Sequence, residues 1–212
     1  MTEVIRAAGD RALLVTPAGG VADLAAALRN RAVPGVEDVL PAAETILVTL
    51  NSPSVAEPVR HALDELLQQA ARDVSRGTLS HNDFPEPLLI PVRYDGADLD
   101  DVARLLNLST AEVVAAHTGT TWRCGFVGFA PGFGYLESAG HRLTVPRRDQ
   151  ARTAIPAGAV ALAGGYTAVY PRSTPGGWQL IGRTDLRMWD VDRDPPALIQ
   201  PGSTVRFVEA DT

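Results

Sequence analysis

The sequence predicts two domains, an α+β domain over residues 1–82 and a β-barrel over residues 83–212. Three observations support this division. All twelve aromatic residues lie at or after Phe84, so the first domain has to build its core from Leu, Val, Ile and Ala. The first part carries apolar residues at helical spacing, whereas the second carries short β-prone runs between glycines and prolines. A chain of 212 residues is long enough for two such cores.

The first domain shows the element order β-α-β-β-α. Its predicted elements are strands at residues 11–16, 36–40 and 45–50 and helices at residues 21–31 and 53–76. Pro34-Gly35 ends the first helix, and Pro53 suits the first turn of the second. This order is that of a ferredoxin-like, split βαβ module, in which two helices cover one face of an antiparallel sheet.

A linker and two short helices precede the barrel strands. Residues 77–86 are polar and turn-prone and predict the linker. The next predicted elements are a strand at residues 88–94 and helices at residues 99–106 and 110–118. Pro91 requires an edge position or a bulge, and Ser109 with Glu112 forms a capping-box pattern. His117 ends the second helix, where it suits capping by a cation as well as it suits catalysis.

From Trp122 onward the pattern predicts only strands. Five β-prone runs are separated by glycine or proline corners, at residues 159–163, 166–170, 178–181, 186–189 and 204–208. Six or more short strands with such corners predict a barrel or a compact sandwich. The stretch from Trp122 to Leu136 alternates four glycines with four aromatic residues. Such glycines are costly unless the backbone meets a ligand, another chain or a tight corner.

The charge of the chain excludes several classes of function. The formal net charge of −6 leaves no broad basic surface, so we expect no nucleic-acid partner. Within residues 120–190, however, eight arginines face four acidic residues, which indicates either an anion site or a solvated face. All nineteen basic residues are arginine, so this chain supplies no biotinyl-lysine, no Schiff base and no phosphate-loop lysine.

Cysteine use and hydropathy predict a soluble cytoplasmic protein. The single cysteine, Cys124, excludes an internal disulfide, and no Cys/His spacing predicts a metal site. Packing beside Trp122 and Phe126 suits Cys124 better than a nucleophilic role. The N-terminus lacks the features of a signal peptide, and no run approaches the ~20 apolar residues that span a bilayer. We therefore expect no membrane contact.

An ordered series of blocks resembles a known family. The blocks are 128–136 (GFAPGFGYL), 145–148 (VPRR), 155–160 (IPAGAV), 163–171 (AGGYTAVYP), 173–184 (STPGGWQLIGRT) and 194–207, which contains DPPAL and PGSTVRF. They closely resemble the family called allophanate hydrolase subunit 1, which includes the Kip-inhibitor proteins and the B subunit of the bacterial 5-oxoprolinase. The resemblance is strong over residues 88–208 and weaker near Gly9 to Leu14.

The resemblance implies a fold and partners. It implies an N-terminal α+β domain and a C-terminal cyclophilin-like β-barrel. Members of the family work beside a related second subunit, allophanate hydrolase subunit 2, which corresponds to the C subunit of 5-oxoprolinase. The two together look like the carboxyltransferase part of urea carboxylase. The resemblance therefore implies a hetero-oligomer with the C subunit and, for a 5-oxoprolinase, also with the A subunit.

Three activities follow from the resemblance. The first is that of a subunit of an ATP-dependent amide hydrolase, inactive alone, that opens the lactam of 5-oxoproline to glutamate together with the A and C subunits. ATP, with magnesium, would activate the lactam carbonyl in the assembled complex, because an unactivated lactam is a poor electrophile. The second is allophanate hydrolysis or carboxyltransfer, with biotin on a separate carrier. The third is inhibition of a sensor histidine kinase without chemistry.

The candidate site residues come from these blocks. The catalytic candidates are Arg147, Arg148 and His141, because paired guanidinium N–H groups hold phosphate or carboxylate oxygens and His141 suits a general base. The alternatives are surface solvation for the arginines and a structural role for His141. The candidates for substrate or nucleotide binding are Gly128, Phe129, Pro131, Gly132, Phe133, Tyr135, Arg123 and Arg183.

Backbone N–H groups around residues 132–134 are further candidates, since they suit developing negative charge. Gly134 and Tyr166 stand where family members often have proline and glutamine. The first difference loosens the loop, and the second alters a position that could contact substrate.

Overall fold

The computed structural model describes residues 4–18, 20–76, 86–138, 140 and 142–210. The chain divides into two compact units, residues 1–83 and 84–212. The predicted linker at 77–86 lies outside the described residues except for Glu86. In the parts of the chain that the structure describes, no helix combines the length and the apolar character that crossing a membrane requires.

The first unit is a four-stranded antiparallel sheet with two helices. Its elements are β1 (Ile5–Ala7), β2 (Ala12–Val15), α1 (Val21–Arg31), β3 (Val36–Pro41), β4 (Ile46–Leu50) and α2 (Ala56–Arg76), which a 3-10 turn at Pro53–Val55 precedes. The sheet order is β1-β2-β4-β3. All predicted elements form, and β4 lies between β2 and β3.

The fourth strand of this sheet comes from the N-terminus. The short strand β1, which the pattern did not predict, forms a hairpin with β2 and completes the edge of the sheet. The core beneath the sheet is aliphatic, as the absence of aromatic residues before Phe84 requires. Its largest fully buried side chains are Leu13, Leu28, Ile46, Leu50 and Leu63.

The second unit is a mixed seven-stranded β-barrel with two helices. Its elements are β5 (Leu88–Val92), α3 (Leu99–Leu106), α4 (Thr110–Thr118), β6 (Thr121–Val127), β7 (Gly134–Glu137), β8 (Arg152–Ile155), β9 (Ala159–Ala163), β10 (Tyr166–Val169), β11 (Thr174–Gly176), β12 (Gln179–Arg183) and β13 (Thr204–Glu209). The strand order is β12-β9-β10-β7-β6-β13-β5, while β8 and β11 pair separately. The predicted barrel is therefore confirmed, as is the capping box of Ser109 and Glu112 on α4.

One predicted strand does not form. Residues 186–189 make only an isolated bridge between Trp189 and Ala197. Only one apolar side chain of this run is anchored in the core, because Met188 is buried whereas Leu186 and Trp189 are exposed. The edge prediction for Pro91 is confirmed, since β5 is the last strand of the seven.

The barrel closes at a short seam between β5 and β12. Arg93 and Arg183 exchange two backbone hydrogen bonds of 2.9 Å, and Gly96 N–H donates to Ile181 O. The two arginine side chains form reciprocal ion pairs across the seam, Arg93 with Asp185 and Arg183 with Asp95, each at 2.8 Å.

The seam brings two backbones unusually close. A Cβ at Gly182 would lie 2.5 Å from Arg93 O, and a Cβ at Gly96 would collide with the backbone of Ile181. Only glycine at these two positions therefore lets the strands approach to hydrogen-bonding distance.

The interior of the barrel receives side chains from all seven strands. One from each strand is Ile90, Trp122, Leu136, Leu162, Val169, Ile181 and Phe207, and all are buried in one cluster. Val102 of α3 and Val113 of α4 join the same cluster. Cys124 also points inside, where burial raises the pKa of its thiol to about 12. The predicted packing of this cysteine beside Trp122 is therefore confirmed, whereas Phe126 is not part of the same cluster.

His117 lies inside the barrel and serves neither as a helix cap nor as an exposed base. Its ring is fully buried between Tyr94 Oη at 2.7 Å from Nδ1 and Thr167 Oγ1 at 2.9 Å from Nε2. Because the Thr167 hydroxyl donates to Ala161 O, it accepts from Nε2–H, and Tyr94 then donates to Nδ1. This chain of bonds needs a neutral ring, and burial lowers the pKa of His117 to about 3.

The seam makes a prediction about stability. The substitution Gly182→Ala should lower the free energy of unfolding of the barrel by about 3 kcal/mol, because the added methyl group meets backbone that cannot rotate away. Tryptophan fluorescence during urea unfolding reports on this unit alone, since all three tryptophans lie within it. Gly140→Ala is the control, as nothing lies within 4 Å of its Cβ position. Equal urea midpoints for Gly182→Ala and Gly140→Ala would contradict the claim that the seam requires glycine at position 182.

The buried histidine makes a second prediction. The pKa of His117 is about 3 in the folded chain against an ordinary value of 6.5, so the unfolded chain takes up the proton first. The stabilising effect is complete above pH 6.5 and is lost as the pH falls towards 3. His117→Gln should therefore flatten the fall of unfolding free energy between about pH 6 and pH 4. His141 is present in both proteins and cancels in the comparison. Parallel pH profiles would show that the ring is not neutral.

Candidate functional site

The glycine and aromatic stretch forms the hairpin of β6 and β7. A bulge leaves Gly125 without a partner, because Cys124 pairs with Leu136 and Phe126 pairs with Tyr135. The extra residue changes which face the following side chains occupy. Cys124 therefore points into the barrel, while Phe126 points outside and stacks on Tyr135 with 4.2 Å between ring centroids.

Six aromatic residues form a continuous patch on the outside of the barrel, here called the outer aromatic face. They are Phe126, Phe133, Tyr135, Tyr166, Tyr170 and Trp178. Phe133, Tyr170 and Trp178 are buried and form its floor, while the other three are half-buried. Tyr166 stands nearly perpendicular to Phe126 and Tyr135, at 5.8 Å from each. The three half-buried rings therefore pack against one another and leave only part of each ring exposed.

The backbone of Arg147 is held beside residues 177–179 through its two neighbours. Gln179 Nε2 donates to Pro146 O at 3.3 Å, and Arg148 N–H donates to Gly177 O at 2.7 Å. These bonds place residue 147 beside Trp178, whose ring lies 5.6 Å from that of Tyr135. The Arg147 side chain is exposed.

The charge of Arg147 reaches two tyrosines of the outer aromatic face. Burial raises the pKa of Tyr135, and burial with the nearby Tyr135 raises the pKa of Tyr170 to about 12, while Arg147 opposes both increases. Both hydroxyls therefore stay protonated at neutral pH and are available only as neutral groups.

Arg148 points to a different place. Its Nη1 donates to Oδ1 of Asp98, a side chain that is only 1% exposed. Arg152 donates to both Asp98 oxygens at 2.8 Å, and Leu180 N–H donates to Oδ2 at 2.7 Å. Burial alone would raise the pKa of Asp98, but the Arg152 and Leu180 hydrogen bonds and the charges of both arginines lower it. Asp98 is thus an ionised carboxylate with four donors, and Arg148 is held in the frame of the fold.

The loop between β6 and β7 lines a cleft of about 420 Å³. Residues 127–132 form one wall, and Trp189, Ala197 and residues 199–201 contribute to the other. Phe129 has a φ of 64°, which is rare for a bulky residue, and it is 60% exposed. Its ring contacts Phe133 edge-on at 5.3 Å between centroids. Phe129 therefore holds an exposed ring at the edge of the cleft from a backbone conformation that is costly for a bulky residue.

Packing explains three of the loop glycines. A Cβ at Gly132 would lie 2.9 Å from Trp189 Cβ, and one at Gly134 would lie 2.9 Å from Ile199 Cγ2. A Cβ at Gly125 would lie 3.1 Å from the Glu137 carboxyl group. These three glycines therefore allow the β6–β7 hairpin to pack closely against Trp189, Ile199 and Glu137.

The N–H groups of this loop are also used within the protein. Gly128 N–H donates to Phe133 O, Ala130 N–H to Gly128 O and Phe133 N–H to Ala130 O. The Phe133 N–H, one of the groups expected to bind developing charge, is thus occupied in this structure.

The structure distributes the predicted site residues over separate places. Phe133, Tyr135 and Arg147 meet at the outer aromatic face, whereas the predicted residues that line the cleft are Gly128, Phe129, Pro131 and Gly132. Arg183 lies at the seam in its ion pair with Asp95, and Arg123 lies opposite Glu137 on β7. His141 lies outside the described residues. Among the described residues, no group of three or more His, Cys, Asp or Glu side chains could hold a metal ion.

Sequence reasoning missed Asp98, Arg152 and Trp178. Asp98 precedes α3 and looks like an ordinary helix-cap residue, while its partner Arg152 lies 54 positions away. No local pattern links two such residues. The alternation of aromatic residues in 122–136 was the available signal for the outer aromatic face, but the bulge at Gly125 decides which of them point outside.

The chain matches the family described as carboxyltransferase domain, subdomain C and D, over residues 3–199. It is 41% identical to the B subunit of 5-oxoprolinase from Escherichia coli O157:H7, covering 83% of this chain and 79% of that protein. It is 36% identical to the B subunit of 5-oxoprolinase from Bacillus subtilis strain 168, covering 89% of this chain and 82% of that protein. Urea amidolyase of Saccharomyces cerevisiae is 35% identical over 32% of this chain and 4% of that protein.

Solved structures share the fold. The crystal structure of TTHA0988 superposes with a TM-score of 0.75 at 33% identity, covering 95% of this chain. This chain spans only 41% of the TTHA0988 chain. The urea carboxylase of Kluyveromyces lactis superposes with a TM-score of 0.68 over 98% of this chain and 22% of its own, and at 17% identity it shows the fold alone.

The Asp98 cluster makes a prediction. Asp98→Asn should lower the free energy of unfolding of the barrel by about 3 kcal/mol, because two part-buried guanidinium groups lose their counter-charge. Asp95→Asn is the matched control, since its ion pair with Arg183 is exposed and should contribute no more than about 1 kcal/mol. Urea unfolding followed by tryptophan fluorescence compares the two. A smaller loss of unfolding free energy for Asp98→Asn than for Asp95→Asn would show that the Asp98 cluster does not stabilise the barrel.

Proposed function

The chain belongs to the family of carboxyltransferase domains, subdomain C and D, and on that premise we propose that it is the B subunit of a 5-oxoprolinase. One observation carries the proposal. Two proteins named as B subunits of 5-oxoprolinase are 41% and 36% identical to it over 83% and 89% of its length. The chain is then a hydrolase subunit, and the reaction it serves is the opening of the lactam C–N bond of 5-oxoproline to give glutamate.

The outer aromatic face supplies the chemistry that this substrate needs for recognition. An exposed guanidinium group beside half-buried rings suits a small molecule with a negative charge and a flat body. We propose that Arg147 and Tyr135 contact the substrate. Arg148 then has a positioning role, because it donates to Asp98 and does not contact the substrate itself. Arg123 and Arg183 are then not part of this site, because Arg123 lies opposite Glu137 on the barrel and Arg183 pairs with Asp95 at the seam.

We propose that ATP, with magnesium, is bound by another member of the assembled complex. ATP supplies the activation that an unreactive lactam carbonyl needs. Two features of this chain support the proposal: it has no lysine for a phosphate loop, and three N–H groups of the glycine loop donate within the loop itself.

We propose that the chain assembles with the A and C subunits of such an enzyme and is inactive alone. Its relatives are named as B subunits, which supports an enzyme of several chains. TTHA0988 supports it too, since that chain carries further polypeptide beyond the part that matches this one. We also propose that the protein is cytoplasmic.

We propose further that the barrel has a cyclophilin-like fold and that the first unit has a ferredoxin-like fold, in which the N-terminal strand β1 takes the place of a C-terminal fourth strand.

Carboxyltransfer or allophanate hydrolysis is the second candidate function. The description of the family and the similarity to a urea amidolyase over 72 residues favour it. Biotin would then have to arrive on another chain, because this one has no lysine to carry it. The weaker and shorter match places this candidate second.

The proposed function predicts a dependence on partner chains. The purified chain with ATP, magnesium and 5-oxoproline should release no glutamate, and addition of candidate A and C subunits should give glutamate and phosphate together. Omission of this chain from the mixture is the control and should abolish turnover. Biotin-dependent carboxyltransfer or allophanate hydrolysis by the same mixture, without turnover of 5-oxoproline, would favour the second candidate and sink the first.

A further inference from the structure

The loop between β6 and β7 consists of two tight turns in succession. Ala130 N–H donates to Gly128 O at 2.7 Å, which closes a three-residue turn around Phe129. The φ of 64° at Phe129 is that of the classic γ-turn, a rare and strained conformation for a bulky residue. Phe133 N–H then donates to Ala130 O at 3.0 Å across a Pro-Gly pair, which forms a type II turn without strain. The strain of the loop is therefore concentrated at one residue.

The second turn is fixed against the barrel, whereas the ring of Phe129 is not. A Cβ at Gly132 would lie 2.9 Å from Trp189 Cβ, so the backbone of this turn already touches its neighbour. At the base of the loop, Gly128 N–H donates to Phe133 O at 3.1 Å. The ring of Phe129, by contrast, is 60% exposed. A rearrangement at Phe129 can therefore occur while both ends of the loop stay in place.

Two surfaces adjoin Phe129. Its ring makes edge contacts with the rings of Phe133 and Tyr170, at 5.3 Å and 6.4 Å between centroids, and so covers part of the floor of the outer aromatic face. The same residue lines the cleft of about 420 Å³, together with Trp189 and Ala197. This cleft has room for a phenyl ring, and the indole of Trp189 offers the same kind of aromatic contact that the outer aromatic face provides.

Opposing contributions keep the two places close in free energy. An inverse γ-turn, with a φ of about −75°, retains the hydrogen bond between residues 128 and 130 and removes the strain. The change in the sign of φ carries the side chain of Phe129 to the other side of the loop. The ring then loses its edge contacts with Phe133 and Tyr170 and gains contacts in the cleft. Relief of strain at one residue and loss of an aromatic pair are effects of similar size, so neither place outweighs the other by much.

We infer that Phe129 is an aromatic gate whose ring moves between the outer aromatic face and the cleft as its turn changes from the classic to the inverse form. In the closed position, which the structure shows, the ring covers part of Phe133 and Tyr170. In the open position it lies against Trp189 and uncovers them. The motion rests on the geometry of the loop, whereas its effect on turnover rests on the proposed function, which places substrate at the outer aromatic face.

The first test follows the ring in the chain alone. Relaxation-dispersion NMR should show exchange on the microsecond-to-millisecond timescale at the ring of Phe129 and at the indole N–H of Trp189, with a minor state on the order of 1%. Ala197→Leu fills the cleft and should abolish this exchange, and Ala197→Val should reduce it. Ala154→Leu, at an exposed position of β8, is the matched control and should leave the exchange unchanged. Urea midpoints show that each variant is folded.

The second test measures turnover in the assembled enzyme. Ala197→Leu should lower kcat/KM for L-5-oxoproline about tenfold, because apparent affinity scales with the fraction of the chain in the open form. Phe129→Gly removes the ring and accepts a positive φ, so it should raise kcat/KM. In the Phe129→Gly background, Ala197→Leu should have no further effect, since there is no ring left to exclude from the cleft. This non-additivity distinguishes a gate from damage to the cleft.

The outcomes separate the gate from the proposed function. Absence of exchange at Phe129 and Trp189, or exchange that Ala197→Leu leaves unchanged, overturns the gate whatever the enzyme does. Exchange that Ala197→Leu abolishes, without turnover of L-5-oxoproline in any complex, keeps the gate and removes the proposed reaction. An equal loss of kcat/KM from Ala197→Leu with and without the ring of Phe129 overturns the link between the gate and turnover and leaves the proposed reaction intact.

Discussion

The barrel depends on one buried carboxylate. Asp98 accepts four hydrogen bonds, from Arg148, from both ends of the Arg152 fork and from the backbone of Leu180. These donors belong to two segments that are distant in sequence from each other and from Asp98, so the carboxylate links the start of α3 with residues 148–152 and with the strand β12. A buried ion of this kind is tolerable only when it is fully paired, which makes the three segments mutually dependent.

The backbone hydrogen bonds of the seam beside Asp98 also make these segments depend on one another. Asp98 N–H donates to Leu180 O, next to the bonds that Gly96 and Arg93 make with β12. Pro91 has no N–H to offer, and the backbone bonds across the seam begin only at Arg93. Closure of the barrel therefore relies on a short row of bonds, on two glycines that permit contact, and on the carboxylate that holds the row in place.

The sequence predicted most of the fold but only part of the site, and the difference follows from distance along the chain. Helices α1 to α4 have local periodicity and end signals, and Pro91 marks an edge strand by its own chemistry. The strand prediction for residues 186–189 was wrong because successive apolar residues resemble a strand even when only one of them, Met188, is buried. Arg147 and Arg148 look equivalent as neighbours, yet one pairs with Asp98 and the other stays exposed. That distinction depends on a residue 50 positions away, which no local pattern contains.

The glycine and aromatic stretch gains its meaning from these contacts. Its glycines let β7 and the loop pack against Ile199 and Trp189, and its bulge turns Phe126 outward onto Tyr135. The result is an aromatic surface whose outer rings are half-buried and beside which Arg147 is exposed. In water a single ion pair contributes little, because solvent screens the charge and the arginine side chain must be ordered. The ion pairing of the same guanidinium group becomes far stronger when a second surface excludes water from it. The exposed position of Arg147 therefore favours weak ion pairing in the chain alone and stronger pairing wherever a second surface covers it.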